Sequence, residues 1–557
     1  MERTEVDAVV VGAGFGGLYM LHKLRGLGLI VRVFEAGHDV GGTWYWNRYP
    51  GARCDVESME YSFSFDEDLE QEWSWTERYA TQPEILSYAR HVADRFDLRR
   101  DISFSTRVTS ATFGEANGTW LVTTDKGEEV RAQYCVMATG CLSTVNRPDI
   151  PGLDGFAGPV YQTGLWPHEG VDFTGKAVCV IGTGSSAIQS IPVIARQAAQ
   201  LTVFQRTANY VAPARNQPMS EAYEEHFKAN YKDLRRKQLQ GYFGALPSGE
   251  PRMVPSMSVG DDEREAAYEE GWERGGLGLL GSFPDLLFDR DGNETLAEFV
   301  RGKIRATVKN PATAELLCPD DHPVGSKRMC IDTGYFETFN RDNVTLVGLK
   351  AEPIERISSE GVVTAKQAYP CDALVLATGF DAMTGTLAKI AITGRGGRTL
   401  KDEWADGPVA YLGLMVAGFP NLFLVTGPGS PSVLSNMLVS IEQHVDWIAG
   451  CIEALRERGA GVIEADPAAQ EDWLEHGAAV AAPTVYPDGK SWYTGANIAG
   501  KPRTFMAYIG GVPGYRKICD AVTAGDYAGF AIDGAEAAPL PDFMAVLRTP
   551  QPAEAAA

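Results

Sequence analysis

Two stretches of the chain share one pattern of apolar and polar positions: a short apolar run, a glycine-rich turn, a segment with helical spacing and another apolar run. Residues 9–11 lead into the turn 12–17, and residues 178–181 lead into the turn 182–187. We refer to the two turns as the first and second glycine fingerprints. In such a unit the backbone amides of the turn approach the pyrophosphate of a dinucleotide at a helix N-terminus. The pattern predicts an α/β fold with two nested Rossmann-like dinucleotide-binding domains.

The second apolar run of each stretch ends in a different charge. Glu35 closes the first and Arg206 follows the second. A carboxylate at this place accepts hydrogen bonds from free ribose hydroxyls, whereas an arginine pairs with a 2′-phosphate. We therefore expect one nucleotide without the extra phosphate and one with it. The residues predicted to contact them are Gly12, Gly14, Phe15, Gly17 and Glu35 for the first nucleotide, and Thr183, Gly184, Ser185, Ser186, Gln189, Arg206 and Thr207 for the second.

A second repeat supports two nested domains. Residues 134–140 and 373–379 are apolar runs that both end in Ala-Thr-Gly, and a strand of this kind returns to the sheet beside the fingerprint strand. Between them, Glu, Lys, Arg and Ala recur with helical spacing, which predicts a helical insertion on the core. The predicted domains are 1–145 with 380–545, 146–214 with 323–379, the insertion 215–322 and a flexible tail 546–557, of which 551–557 are expected to be disordered.

Composition narrows the class of protein. The 557 residues suffice for two or three domains, and a net charge of −23 argues against a nucleic-acid partner and against anionic lipid. We find no signal-peptide pattern and no apolar stretch of about 20 residues, so no membrane association is expected. The nine cysteines are scattered without a Cys-x-x-Cys pair, which predicts reduced thiols in the cytoplasm and no zinc or other metal site. A monomer or weak oligomer is expected.

The segment between the two units narrows the function. Residues 156–167 read Phe-Ala-Gly-Pro-Val-Tyr-Gln-Thr-Gly-Leu-Trp-Pro, which resembles the Baeyer–Villiger monooxygenase signature Phe-x-Gly-x-x-x-His-x-x-x-Trp-Pro. Residues 42–55, 327–328, 339–344 and 427–432 are similar to the same family. The resemblance covers nearly the whole chain and is greater to the phenylacetone and steroid branch than to the cyclohexanone branch.

The resemblance implies a reaction and its cofactors. FAD is expected in the first unit and NADPH in the second. One oxygen atom of dioxygen is expected to be inserted next to the carbonyl of a ketone, through a peroxyflavin anion, giving an ester or lactone. The substrate is expected to be a small uncharged ketone.

The resemblance also implies roles for individual residues. A guanidinium that does not titrate can stabilise the anions of this reaction. Arg328 is expected to take this catalytic role, with Asp55 orienting it, and Lys327 is expected to help Arg206 and Thr207 hold the 2′-phosphate. The flavin is expected to be lined by Thr43, Trp44, Tyr45, Trp46, Asp55, Tyr61, Val108 and Met437. A mobile loop is expected to carry Trp492 over the nicotinamide. The predicted substrate pocket contains Leu142, Ser432, Val433 and Leu434.

One position of the signature departs from the family. Phe156, Gly158, Trp166 and Pro167 match it, but Gln162 stands where the family has histidine. Glutamine donates and accepts hydrogen bonds but does not titrate. Either a neutral linker suffices and activity is retained, or nicotinamide oxidation and oxygenation are coupled differently.

Two alternatives remain open on the sequence alone. One is a flavin monooxygenase that oxygenates heteroatoms, and the other is an NADPH-dependent flavoprotein that does not oxygenate. The Trp-Pro pair of the linker signature and the Lys327-Arg328 pair favour the ketone enzyme. Gln162, in place of the family histidine, is the feature that favours the second alternative, an NADPH-dependent flavoprotein that does not oxygenate.

Overall fold

The computed structural model describes residues 4–249 and 252–548. Its strands are β1 Thr4–Val11, β2 Val31–Phe34, β3 Ile102–Ser103, β4 Val108–Gly114, β5 Thr119–Thr124, β6 Glu129–Met137, β7 Val160–Gln162, β8 Ala177–Ile181, β9 Gln200–Gln205, β10 Val211–Pro213, β11 Cys330–Asp332, β12 Val344–Gly348, β13 Ile354–Ser358, β14 Gly361–Thr364, β15 Ala368–Pro370, β16 Ala373–Leu376, β17 Ala391–Thr393, β18 Leu422–Leu424, β19 Ile463–Ala465 and β20 Phe530–Ile532. Its helices are α1 Phe15–Gly26, α2 Thr43–Trp46, α3 Glu67–Glu72, α4 Gln82–Arg95, α5 Ser185–Gln197, α6 Glu221–Gln240, α7 Asp261–Arg274, α8 Arg290–Thr307, α9 Pro311–Leu317, α10 Tyr335–Thr338, α11 Leu400–Glu403, α12 Met437–Arg458, α13 Pro467–Ala481, α14 Val512–Ala524 and α15 Phe543–Arg548.

Each fingerprint lies at the centre of its own sheet. The first sheet has the order β17-β4-β5-β6-β1-β2-β3, with β18 beside β6, and β1 runs parallel to both β2 and β6. The second sheet, β12-β9-β8-β16-β7, is parallel throughout. In both sheets the strand of the Ala-Thr-Gly repeat, β6 or β16, pairs with the fingerprint strand. The predicted fold class is confirmed.

The first glycine of each fingerprint touches the Ala-Thr-Gly repeat of its own sheet. Gly12 has a φ of 106°, and a Cβ there would lie 2.5 Å from the carbonyl oxygen of Ala138. Gly182 has a φ of 115°, and its Cβ would lie 2.3 Å from the carbonyl oxygen of Ala377. A side chain would be both strained and in collision at these positions. The repeated sequence pattern thus forms a repeated backbone contact.

The last positions of the two fingerprints differ. A Cβ on Gly17 would lie 1.8 Å from the carbonyl oxygen of Gly12. Ala187, at the equivalent position of α5, carries a Cβ and is fully buried. Helix α1 therefore lies closer to its turn than α5 does, and the second unit has room for a methyl group that the first lacks.

The chain order nests the second unit inside the first. After β16 completes the second sheet, β17 and β18 return to the first sheet, and α12 packs against α1. Helices α6 to α9 lie between β10 and β11, which pair in parallel. The insertion therefore leaves and rejoins the second unit at neighbouring points.

The C-terminal boundary shifts from the predicted position. The predicted tail 546–557 begins inside α15, where a Cβ on Gly514 would lie 2.9 Å from the side chain of Leu547. Helix α15 packs on α14 in this way and continues to Arg548, so residues 546–548 are part of the folded chain. Residues 549–557, including the segment 551–557 that was expected to be disordered, lie outside the described residues.

Candidate active site

One cavity of about 1500 Å³ is lined by both fingerprints. It brings together most of the residues that the sequence singles out. The predicted residues in its lining are Gly12, Gly14, Phe15, Glu35, Thr43, Trp44, Trp46, Asp55, Tyr61, Val108, Leu142, Thr183, Gly184, Ser185, Ser186, Gln189, Arg206, Thr207, Lys327, Arg328, Val433, Met437 and Trp492. The predicted residues outside its lining are Gly17, Tyr45, Ser432 and Leu434.

The first nucleotide site is organised around Glu35. This side chain is 5% exposed, and its two carboxylate oxygens accept hydrogen bonds from the amides of Ala13 at 2.8 Å and Gly37 at 2.6 Å. Burial raises the pKa of Glu35 above its usual value, although these amides oppose the rise. Gly14 precedes α1 without a side chain that could cap it, so the helix N-terminus can receive an anion. This cradle fits a dinucleotide with free ribose hydroxyls, such as FAD.

Aromatic side chains form one wall beside this site. The indole of Trp44 donates a hydrogen bond to the hydroxyl of Tyr61 at 3.1 Å, and both line the cavity. Tyr45 is turned away from the cavity, because its hydroxyl accepts a hydrogen bond from the amide of His38 at 3.1 Å and its ring lies under the Arg48 guanidinium. Tyr45 thus packs on the side of α2 that faces away from the cavity.

The hydroxyls of the second fingerprint are engaged within the protein. Thr183 donates to the carbonyl of Thr207 at 2.9 Å, and the Ser185 hydroxyl contacts the Cys330 thiol at 3.0 Å. The backbone amides at the start of α5 lie after Gly184, which offers no capping side chain. The N-terminus of α5 can therefore receive an anion through these amides.

Gln189 joins the two units while lining the cavity. Its amide oxygen accepts a hydrogen bond from the hydroxyl of Tyr49 at 2.8 Å, and its amide nitrogen donates to the carbonyl of Arg53 at 3.0 Å. Gly51 lies against the same helix, since a Cβ there would be 2.3 Å from the carbonyl oxygen of Gln189. The second fingerprint helix is therefore packed directly on the segment before Asp55.

A cationic region lies at the end of the second unit. Arg206 is exposed and Lys327 is half-buried, and both line the cavity. The Lys327 ammonium lies 3.9 Å from a carboxylate oxygen of Asp321. The fit to a nucleotide with a 2′-phosphate, as in NADPH, rests on these unneutralised charges.

Arg328 and Asp55 meet between the two nucleotide sites. Arg328 Nε donates to Asp55 Oδ2 at 2.8 Å, and its Nη1 lies 3.4 Å from the carbonyl oxygen of Val433. Burial alone would lower the pKa of Arg328, but the Asp55 carboxylate raises it above its usual value. The guanidinium is therefore a permanent, oriented positive charge in the cavity.

An apolar cluster from three parts of the chain lies beside Arg328. Val433 and Leu142 line the cavity, while Leu434 packs behind them in the same cluster. The insertion contributes Phe243 and Leu287 to this cluster. Both lie in turns between helices, so no helical spacing in the sequence singles them out. Residues of the insertion therefore pack behind the predicted pocket, although Phe243 and Leu287 do not line the cavity.

The loop that carries Trp492 is held at both ends. Before it, Arg290 Nε donates to Asp488 Oδ2 at 3.0 Å. After it, the Lys501 ammonium donates to Asp381 Oδ1 at 2.6 Å. Trp492 begins a short 3-10 turn that ends at Thr494. The loop is therefore anchored to the insertion at Arg290 and to the first unit at Asp381, and it lines the cavity through Trp492.

The five predicted linker residues, Phe156, Gly158, Gln162, Trp166 and Pro167, lie outside the lining of the cavity, although Leu165 between them belongs to it. Gln162 ends β7, opposite Leu376 of β16, and its side-chain nitrogen is buried without a hydrogen-bond partner among the described residues. Trp166 packs on Phe173, Phe156 is half-buried, and Pro167 follows Trp166. A Cβ on Gly158 would lie 2.4 Å from the carbonyl oxygen of Asp372. The signature therefore forms an edge of the second sheet, behind the nucleotide site.

Metal-ligand clusters, membrane-spanning helices and disulfide bonds are absent from residues 4–249 and 252–548. These residues contain no group of three His, Cys, Asp or Glu residues placed to hold a metal ion. No helix among them has the length and apolar character needed to cross a bilayer. All nine cysteines are free thiols.

Known proteins were compared with the chain and its fold. Residues 9–243 match the family model of pyridine nucleotide-disulphide oxidoreductases. A Baeyer–Villiger monooxygenase of Pseudooceanicola batsensis is 43% identical, over 95% of this chain and 96% of that protein. A phenazine N-monooxygenase of Lysobacter antibioticus is 42% identical, over 95% of this chain and 98% of that protein. Steroid monooxygenase, solved with NADP, has a TM-score of 0.91 and 54% identity over 96% of this chain and 100% of that one.

These matches extend over nearly the full length of both chains. Solved relatives hold NADP, or FAD and NADP together, and the predicted cofactors are confirmed. The similarity to the steroid monooxygenase branch is confirmed as well. The chain belongs to the flavin-dependent Baeyer–Villiger monooxygenases.

Proposed function

We propose that the enzyme uses FAD and NADPH to insert one oxygen atom of dioxygen beside the carbonyl of an uncharged ketone, giving an ester or lactone. The observation that carries this proposal is the Arg328–Asp55 pair, placed inside the cavity that both fingerprints line. A fixed cation beside an apolar wall suits a neutral substrate whose oxygen becomes negative during the reaction.

The two units hold the cofactors by different means. The amides at the start of α1 and the Glu35 carboxylate hold FAD, and the amides at the start of α5, with Arg206 and Lys327, hold NADPH. The chemistry that bound FAD supplies is the activation of dioxygen with electrons from NADPH. The residues of the chain orient the partners, exclude water and stabilise charge.

Arg328 stabilises the negative charge that develops on the carbonyl oxygen when the carbonyl carbon is attacked. Its orientation is set by Asp55 and by the Val433 carbonyl, so little reorganisation is needed as the charge appears. Because Asp55 raises the pKa of Arg328, the guanidinium stays charged and transfers no proton. Asp55 acts through Arg328 and is a positioning residue.

Water is excluded by the elements around this pair. The apolar cluster of Leu142, Val433 and Leu434 covers one side with residues of the insertion. The loop with Trp492 covers another part of the cavity. A water-poor site strengthens the interaction between Arg328 and the developing anion.

The test replaces Arg328 by alanine and separates the two half-reactions. Ester formation from a panel of ketones is expected to fall at least about 100-fold, since a preorganised charge contributes on this order. Anaerobic reduction of the flavin by NADPH, followed by absorbance, is expected to stay within about fivefold of the wild type. The matched variant Asp55→Asn keeps the cation and is expected to lose less activity. Ester formation within tenfold of the wild type in Arg328→Ala would refute the proposal.

A second candidate is N-oxygenation of a heteroaromatic amine. It is favoured by the relative of Lysobacter antibioticus, which is named a phenazine N-monooxygenase and is 42% identical. The same cofactor sites would serve both reactions, so the products must decide. Parallel product analysis with ketones and phenazine-type amines is expected to give mainly esters. A predominance of N-oxides would establish the second candidate in its place.

The enzyme is proposed to act as a monomer or weak oligomer in the cytoplasm. This proposal is supported by the nine unpaired cysteines, which suit a reducing compartment. Light scattering at micromolar concentration is expected to give the mass of one chain, 60.4 kDa. A stable multiple of this mass would contradict it.

A further inference from the structure

A lysine of the Trp492 loop approaches the cationic region of the second unit. Lys490 lines the same cavity as Arg206 and Lys327. The residue before it, Gly489, is packed on the residue before Lys327, since a Cβ on Gly489 would lie 2.5 Å from the carbonyl oxygen of Ser326. This close backbone approach places Lys490 beside Lys327.

The three lysine and arginine charges are poorly neutralised by the protein. In the part of the chain that the structure describes, neither Arg206 nor Lys490 forms an ion pair, and Asp321 lies 3.9 Å from Lys327. The pKa of Lys327 is lowered first by burial and, against the opposing charge of Asp321, by the positive charges of Arg206, Lys350 and Lys490. Like charges held together in this way favour the binding of an anion.

We propose that Lys490 completes the binding site for the 2′-phosphate of NADPH, so that the Trp492 loop closes preferentially over the phosphorylated nucleotide. The proposal rests on the proposed roles of Arg206 and Lys327. Lysine is a compact charge on a flexible stem, and it reaches the phosphate only when its loop is packed on Ser326. A nucleotide that lacks the 2′-phosphate leaves the three positive charges unbalanced and so opposes closure.

The other attachments of the loop do not involve the nucleotide. Asp488 binds Arg290 of the insertion, and Lys501 binds Asp381 and the carbonyl of Ala382. These contacts hold the ends of the loop whichever nucleotide is bound. Lys501 is therefore a matched control for Lys490, because it is a lysine of the same loop with a protein partner.

The first experiment measures binding without turnover. Calorimetric titration of the FAD-loaded enzyme compares adenosine 2′,5′-bisphosphate with AMP, which differ only in the 2′-phosphate. In Lys490→Gln the affinity for the bisphosphate is expected to fall about five- to tenfold, as for a partly solvated ion pair, while the affinity for AMP is unchanged. Lys490→Arg is expected to restore most of the loss. Lys501→Gln is expected to change both affinities by the same factor.

The second experiment follows the loop itself. Hydrogen exchange of residues 489–500 is expected to be slower with NADP⁺ than with NAD⁺ in the wild type, and this difference is expected to vanish in Lys490→Gln. If Lys490→Gln binds the bisphosphate like the wild type, or keeps the difference in exchange, the inference is wrong.

The variant Arg206→Gln separates the inference about Lys490 from the proposal that Arg206 and Lys327 bind the 2′-phosphate. If Arg206→Gln weakens bisphosphate binding and Lys490→Gln does not, the proposed role of Lys490 is wrong and the proposed 2′-phosphate site is retained. If neither variant weakens bisphosphate binding, both the proposed 2′-phosphate site and the role of Lys490 are wrong.

Discussion

The two fingerprints lie in similar sheets and share a backbone contact. They differ in how far the protein itself supplies partners for their charged side chains. In the first, Glu35 is almost fully buried and both of its oxygens accept backbone hydrogen bonds. In the second, Arg206 is exposed, and among the described residues the carboxylate paired with Lys327 is that of Asp321, at 3.9 Å. The first helix also lies too close to its turn for any residue but glycine at position 17, whereas Ala187 fits in the second.

The difference matches the tasks of the two nucleotides. A site whose polar groups are fixed in advance has less to reorganise on binding and can hold its nucleotide through many cycles. A site whose charges remain unbalanced until a ligand arrives discriminates strongly while still exchanging that ligand. We interpret the first unit as a permanent holder of FAD and the second as an exchange site for NADPH.

The largest effect is expected from a methyl group at the last position of the first fingerprint. In Gly17→Ala the new Cβ would lie 1.8 Å from the carbonyl oxygen of Gly12, so α1 or the turn must move. The free energy of unfolding is expected to fall by about 3 kcal/mol or more, with loss of bound FAD. Thermal unfolding and the flavin content of the purified protein measure both effects.

The reciprocal change in the second fingerprint is the control. Ala187→Gly is expected to cost only about 1 kcal/mol, the ordinary penalty of glycine in a helix, with FAD content unchanged. Equal losses in the two variants would contradict the difference in helix packing.

The next effect concerns nucleotide choice. Arg206→Gln removes the exposed cation of the second unit, and the preference for NADPH over NADH, taken as the ratio of kcat/KM values, is expected to fall about 30-fold or more. FAD content is expected to stay at the wild-type level, because Arg206 belongs to the other nucleotide site. A parallel loss of FAD would show that the two sites are not separable.

A smaller effect is expected from pH at the first site. Burial raises the pKa of Glu35 above its usual value of 4.5. In the FAD-free enzyme, the stability that its protonated form contributes is therefore full below 4.5 and is lost as pH rises through the raised value. Ribose hydroxyls donate hydrogen bonds to the ionised form, so the affinity for FAD is expected to rise as Glu35 ionises over the same interval. Fluorescence titration of the FAD-free enzyme between pH 5 and 8 measures this rise.

The matched variant for this pH effect is Glu35→Gln. It cannot titrate, and its FAD affinity is expected to be flat over the same pH range. An unchanged pH profile in Glu35→Gln would assign the effect to another group.

The smallest effect is expected at the linker between the units. Gln162 lies outside the cavity, and its side-chain nitrogen has no partner among the described residues. Gln162→His is therefore expected to change turnover by less than about tenfold, because a buried donor that makes no bond can be replaced at little cost. An increase above tenfold would show that the glutamine alters the coupling between nicotinamide oxidation and oxygenation.

The parts of the site that depend on local backbone geometry could be predicted from sequence. Gly12, Gly14, Gly184, Glu35 and Arg206 occupy places set by a strand, a tight turn and a helix, and all of them line the cavity. Gly17 does not, because its position packs α1 on the turn. Arg328 and Asp55 were reached through the family signature, since no local rule joins two residues from distant parts of the chain. Their hydrogen bond in the structure supports that use of the resemblance.

The directions of side chains and the contacts between distant segments of the chain could not be predicted. Tyr45 stands in an aromatic run, but successive side chains of a helix point about 100° apart, which turns Tyr45 away while Trp44 and Trp46 line the cavity. Ser432 and Leu434 flank Val433 in one tight turn, and only Val433 reaches the cavity. A loop lysine such as Lys490 carries no local signal, because its place depends on the packing of a neighbouring glycine on a remote segment.

The parallel pair β10 and β11 has a consequence for the history of this fold. The insertion begins and ends at adjacent strands, so a segment of this kind can be gained, lengthened or exchanged in one recombination event without breaking either sheet. Phe243 and Leu287 of the apolar cluster beside Val433 lie inside the predicted insertion, 215–322, and would travel with it, whereas Arg328 lies between the end of the insertion and β11 and would stay behind. The apolar packing behind the predicted substrate pocket can therefore diverge among descendants while the charge that serves the chemistry is inherited unchanged.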